Sequence, residues 1–113
     1  TLKPQRFDKY GIKVVGQWIR TNSHKPSPVI LSDSSRNAYY AGGKHVQMYG
    51  INDAMGVAQA RKVDYIIIVQ RDYVLIEKEL LQYIKDKKIE LAYKYPEKNS
   101  LNKRSVFLYE VLH

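Results

Sequence analysis

A chain of 113 residues with 44% apolar content has room for one hydrophobic core and not for two. It contains no cysteine, which excludes a disulfide framework and a thiolate metal site, and no apolar run approaches the roughly 20 residues of a membrane-spanning helix. Nineteen Lys and Arg against eleven Asp and Glu give a net charge of +8, a balance suited to nucleic acid, anionic lipid or another phosphate-bearing partner.

The basic residues are scattered, clustering only at Lys85 to Lys88 and at Lys103-Arg104. The first group reads as the last turn of a helix, where cations complement the dipole. The chain opens at Thr1 rather than at a methionine, so we expect a processed or excised segment.

Residues 1–8 are polar and basic and read as a linker or arm, followed by one domain over 9–113. From Lys9 to Asn22, Ile12, Val15 and Ile19 recur at helical spacing with Val14 and Trp18 beside them, which predicts an amphipathic helix capped by Asp8. Gly11 and Gly16 weaken its intrinsic propensity, and Trp18 is expected to anchor the core. Pro26 and Pro28 end the helix, leaving His24 in a solvated loop. Pro28 to Ser32 is then a short buried strand, with proline tolerated at its first position.

Ser32, Asp33, Ser34 and Arg36 follow the carboxyl end of that strand and precede a short helix ending at Ala41. In open α/β sheets ligands gather at such edges, where backbone N–H groups and an arginine can hold an anion. The competing expectation is that Asp33 or Ser34 simply caps the helix, and the absence of a Gly-rich phosphate fingerprint favours it. Gly42-Gly43 reads as a helix C-terminal turn that needs positive φ. Lys44 to Tyr49 alternates and predicts a strand near a sheet edge. His45 lies in it without a nucleophile as partner.

Asn52 is expected to cap a helix running from Asp53 to about Lys62. The stretch Val63-Asp64-Tyr65-Ile66-Ile67-Ile68-Val69-Gln70 holds six apolar β-formers in eight positions, the signature of a strand covered on both faces. The rest of the chain reads as its packaging. A helix is expected from Tyr73 to Lys88, and alternation at Ile89, Leu91, Tyr93 and Tyr95 predicts a strand with those four on one face. After a polar loop containing Lys98, Lys103 and Arg104, Ser105 to Leu112 closes the domain. Having no helix between them, the last two strands should form an antiparallel hairpin. The expected fold is thus a single compact α/β domain, with a mixed, mostly parallel sheet of about five strands flanked by three main helices.

Gly16-Gln17-Trp18-Ile19-Arg20, Val29-Ile30-Leu31-Ser32, Ala38-Tyr39-Tyr40-Ala41-Gly42-Gly43-Lys44-His45-Val46, the Val63 to Val69 strand and the tyrosine-rich closing strands together resemble the C-terminal soluble domain of certain multi-spanning glycosyltransferases. These are similar to protein O-mannosyltransferases and lipid A aminoarabinose transferases, and take a sugar from a polyprenyl-phosphate donor. The resemblance runs from about Val14 to Leu112. It implies a domain on the extracytoplasmic face, partnered by the membrane-embedded part of the same chain. It also implies no catalytic residue here, because the family's catalytic carboxylates lie in a loop of the membrane-embedded part.

The expected contribution is acceptor recognition, lipid-surface contact or stability, with no cofactor and no metal. An anionic lipid surface or a polyprenyl-phosphate sugar is the expected contact, and Ser32, Asp33, Ser34, Arg36, Lys98, Lys103 and Arg104 are the candidate binding residues. The alternative is a free-standing basic domain that binds nucleic acid, against which no stacking motif or recognition helix is visible. A small hydrolase or transferase built on Ser32 to Arg36 lacks a paired base and nucleophile.

Overall fold

The computed structural model describes residues 4–49, 51–70, 81–95 and 105–112. In chain order the elements are α1 (Pro4–Asn22), β1 (Val29–Ser32), α2 (Ser35–Ala41), β2 (Lys44–Gln47), α3 (Ile51–Ala60), β3 (Tyr65–Gln70), β4 (Ile89–Tyr95) and β5 (Ser105–Val111). Residues 81–85 are also helical, the described part of the helix expected from Tyr73 to Lys88; 73–80 lie outside the described residues. The Cα radius of gyration is 13.2 Å, the value of one compact domain of this length.

The five strands form one sheet in the order β2-β1-β3-β5-β4. β1 pairs in parallel with β2 and β3, while the β3–β5 and β5–β4 pairings are antiparallel. The sheet is therefore evenly mixed, which corrects the expectation of a mostly parallel one. The reason is the position of β5. It inserts between β3 and β4, so two antiparallel contacts stand where β4 would otherwise meet β3 in parallel. The connection between β4 and β5, at 96–104, lies outside the described residues.

β3 is clad on both faces. Ile66 and Ile68 join Leu31, Ala54, Met55, Ala58, Ile89 and Phe107 in one core, and Tyr65 and Ile67 join Ile12, Val15, Ile19, Ile30 and Leu108 in the other. Ile66 and Ile67 are 0% exposed and Ile68 is 3% exposed, each burial worth roughly 1.5–3 kcal/mol relative to an exposed side chain. An uninterrupted apolar run is what such a strand needs, since neither side meets water.

The apolar spacing of α1 seats Ile12, Val15 and Ile19 in the second core, and the Trp18 ring stacks on Tyr93 with centroids 5.8 Å apart. The helix begins at Pro4, earlier than the expected cap at Asp8. Proline suits a helix start because the N–H it lacks has no intrahelical acceptor there. Similarly α3 begins at Ile51, which puts Asn52 inside its first turn. Gly16 marks the crossing of α1 and α2: a Cβ there would lie 2.7 Å from the backbone carbonyl of Tyr40. Its poor helix propensity is offset by an approach that no other residue permits.

The alternation expected along β4 is broken. The register slips between Leu91 and Tyr93, leaving Ile89 in the first core while Ala92, Tyr93 and Tyr95 pack against the second. Leu91 is 46% exposed. A bulge adds one residue to a strand, and one residue is enough to exchange its faces.

Candidate functional site

Ser32, Asp33 and Ser34 come together at the carboxyl end of β1. Ser34 is the N-cap of α2, with φ −143° and ψ 134°, and its Oγ accepts from the Arg36 backbone N–H at 3.3 Å. Ser32, fully buried, donates its hydroxyl to the Ser34 carbonyl at 2.7 Å. Asp33 accepts from the Asn37 amide at 3.4 Å. From β2, Gln47 Nε2 donates to the Asp33 carbonyl at 3.1 Å, and His45 Nε2 lies 3.1 Å from the Ser32 carbonyl.

These polar atoms are engaged in shaping the turn, which is the capping role weighed against anion binding. Arg36 is exposed. Asn37 is 1% exposed and its Oδ1 has no hydrogen-bond partner, an arrangement that costs about 1–3 kcal/mol. Lys98, Lys103 and Arg104 lie outside the described residues.

A second constellation lies at the opposite, amino-terminal end of β1 and β2, where α1 ends. Arg20 Nε donates to the Tyr40 carbonyl at 2.7 Å and Nη2 to the Tyr39 carbonyl at 3.4 Å, so α1 caps the C-terminus of α2. Gly42 closes that terminus in the left-handed region at φ 69°. Its N–H donates to Tyr39 and that of Gly43 to Ala38, both at 3.0 Å, the paired bonds of a Schellman turn. Between the end of α1, the 23–28 loop and this turn lies a cleft of about 420 Å³, bordered by Arg20, Ser23, His24, Lys25 and Gly42 over Ile19 and Ala41.

A smaller hollow of about 150 Å³ adjoins it, sharing Ser23, His24 and Lys25 and reaching Asp64, Tyr65 and Glu110. Lys25 Nζ is 2.6 Å from Asp64 Oδ1, and Asp64 Oδ2 accepts the Val29 N–H at 2.8 Å. Asp64 therefore ties the loop to the start of β1. Burial raises the pKa of the Tyr65 hydroxyl above its ordinary value; the hydrogen bond with Ser23 lowers it, Glu110 and Asp64 raise it, and Lys25 lowers it.

His24 is exposed, as expected of the loop, but it borders a cleft. Arg20, Lys25 and Asp64 were not singled out from the sequence. Asp64 carried a usable signal, a lone carboxylate at the head of an apolar strand, since a charge there calls for a partner. Among the described residues no group of three or more His, Asp or Glu could hold a metal ion, and no helix is long and apolar enough to cross a membrane.

Fold and site together define a mixed-sheet α/β domain with a basic cleft at the amino end of its parallel strands. Compared with protein-family models, curated protein sequences and solved structures, the chain matches none.

Proposed function

We propose that this domain is the non-catalytic, extracytoplasmic appendage of a multi-spanning glycosyltransferase that takes a sugar from a polyprenyl-phosphate donor. One observation carries the reading. The residues through which the chain resembles that family are the ones that lock its own elements together: Gly16 and Arg20 of α1 grip the backbone of Tyr40, and Ala38 to Gly43 form the turn they grip. Their roles are architectural, which accords with a domain whose catalysis resides in the membrane-embedded part of the chain. Contact with an anionic lipid surface would add about 1 kcal/mol for each Lys or Arg brought near it.

The test uses the complete gene product in proteoliposomes, the same protein lacking 9–113, and the 113-residue chain alone, each assayed for sugar transfer from a polyprenyl-phosphate donor. The complete protein should transfer sugar, the truncated one should show a weakened acceptor dependence or yield, and the isolated chain should be inert. Turnover by the isolated chain, or a complete gene product without membrane spans, would overturn the reading.

A further inference from the structure

We propose that the cleft between the end of α1, the 23–28 loop and the Gly42 turn is a binding site for a phosphate group, with Arg20 as its fork and His24 and Lys25 as its rim. The inference goes beyond the glycosyltransferase reading and does not need it. The volume, about 420 Å³, falls within the range of roughly 300–1,000 Å³ typical of small-molecule sites. The floor is apolar, Ile19 and Ala41 being 0% and 2% exposed, and among the described residues no Asp or Glu borders the cleft.

Arg20 supplies the geometry. Nε and Nη2 are fixed on the carbonyls of Tyr40 and Tyr39, which immobilises the guanidinium plane. Nη1 has no hydrogen-bond partner among the described residues, so the outward edge of the fork remains available. A guanidinium already held in place loses little freedom on binding, and its paired N–H groups match two oxygens of a phosphate.

Gly42 keeps that group accessible, since a Cβ there would lie 3.2 Å from Arg20 Cζ and 3.3 Å from Nη1. On the rim, the Lys25 side chain is 63% exposed although its ammonium meets Asp64. An ammonium has three donors, and Asp64 takes one of them. The cleft exceeds a bare phosphate in size, so the ligand is a phosphate ester, either a small soluble monoester or the headgroup of a lipid.

The experiment follows backbone amides of the 113-residue chain by NMR during titration with inorganic phosphate at constant ionic strength, with chloride as the reference anion. Parallel arms add vesicles of phosphatidylglycerol or of phosphatidylcholine. The proposal expects saturable shifts confined to residues 20, 23–25 and 42. Saturation by inorganic phosphate identifies a soluble ester, whereas saturation only by phosphatidylglycerol vesicles identifies a headgroup.

Arg20→Lys keeps the charge but removes the fork, and should weaken binding about tenfold. His24 is exposed, so His24→Glu leaves the fold intact and should weaken binding comparably. Gln59→Glu, an equal charge change on an exposed position of α3, should leave it unchanged. Non-saturating shifts, the same response to chloride, or equal weakening by His24→Glu and Gln59→Glu would each overturn the site while leaving the glycosyltransferase reading standing.

Discussion

Gly16 of α1 faces the backbone carbonyl of Tyr40 so closely that any Cβ would sit 2.7 Å from its carbon and its oxygen. The two helices therefore meet backbone to backbone, and Arg20, one turn further on, completes the junction by capping α2. Gly16→Ala would gain up to about 1 kcal/mol of helix propensity, but the clash is with main chain that has no flexible end to yield. We expect a net destabilisation of about 2 kcal/mol, read as a lower midpoint in urea with an unchanged slope.

Asp64 and Lys25 form an ion pair whose members matter unequally. The Lys25 side chain is 63% exposed and that of Asp64 only 12%, and Asp64 also accepts the Val29 N–H. Lys25→Ala should cost less than about 1 kcal/mol, the value of an exposed pair. Asp64→Ala strands a backbone donor and should cost about 1–3 kcal/mol. Chemical denaturation of the two variants checks the order, and equal costs would contradict it.

Tyr65 titrates above the ordinary phenol because it is buried. The folded state thus binds its proton more tightly than the unfolded chain does. The resulting stability is fully present below the unfolded value, about 10, and is lost as pH rises from there through the raised folded value. Tyr65→Phe has no such proton, so the stability gap between it and the native protein should shrink as pH climbs past 10. Thermal unfolding at several alkaline pH values measures this.

Much of the fold was legible because its signals are local. Ile66, Ile67 and Ile68 stand in an unbroken apolar run, Ile12, Val15 and Ile19 share a helical face, Ser34 is a good cap and Gly42 a good helix stop. What stayed hidden depends on contacts distant in sequence. Nothing near Val106 to Val111 says that this strand inserts between β3 and β4, and nothing near Ala92 announces the slip that turns Tyr93 and Tyr95 to the opposite face. At the site, Ser32, Asp33 and Ser34 were legible as a turn, and the cap weighed against an anion site is the role their hydrogen bonds describe. The cleft was illegible because Arg20, Lys25 and Gly42 lie on three segments that only the folded chain brings together.

Truncating the central strand should be costly on either face. Ile66→Ala and Ile67→Ala, one in each core, should each lose about 2–5 kcal/mol, while Tyr49→Ala, at an 89% exposed position, should stay within about 0.5 kcal/mol. Urea unfolding of the three variants separates a strand buried on both sides from one buried on a single side.

Native-state hydrogen exchange at the amides of Ile66, Ile67 and Ile68 bears most directly on the claim that β3, flanked by β1 and β5 and covered above and below, organises the domain. All three should exchange only through global unfolding, with protection equal to the stability obtained from urea and falling in step with it in Gly16→Ala. Exchange of these amides through small local openings, while α1 or β2 outlasts them, would contradict the account.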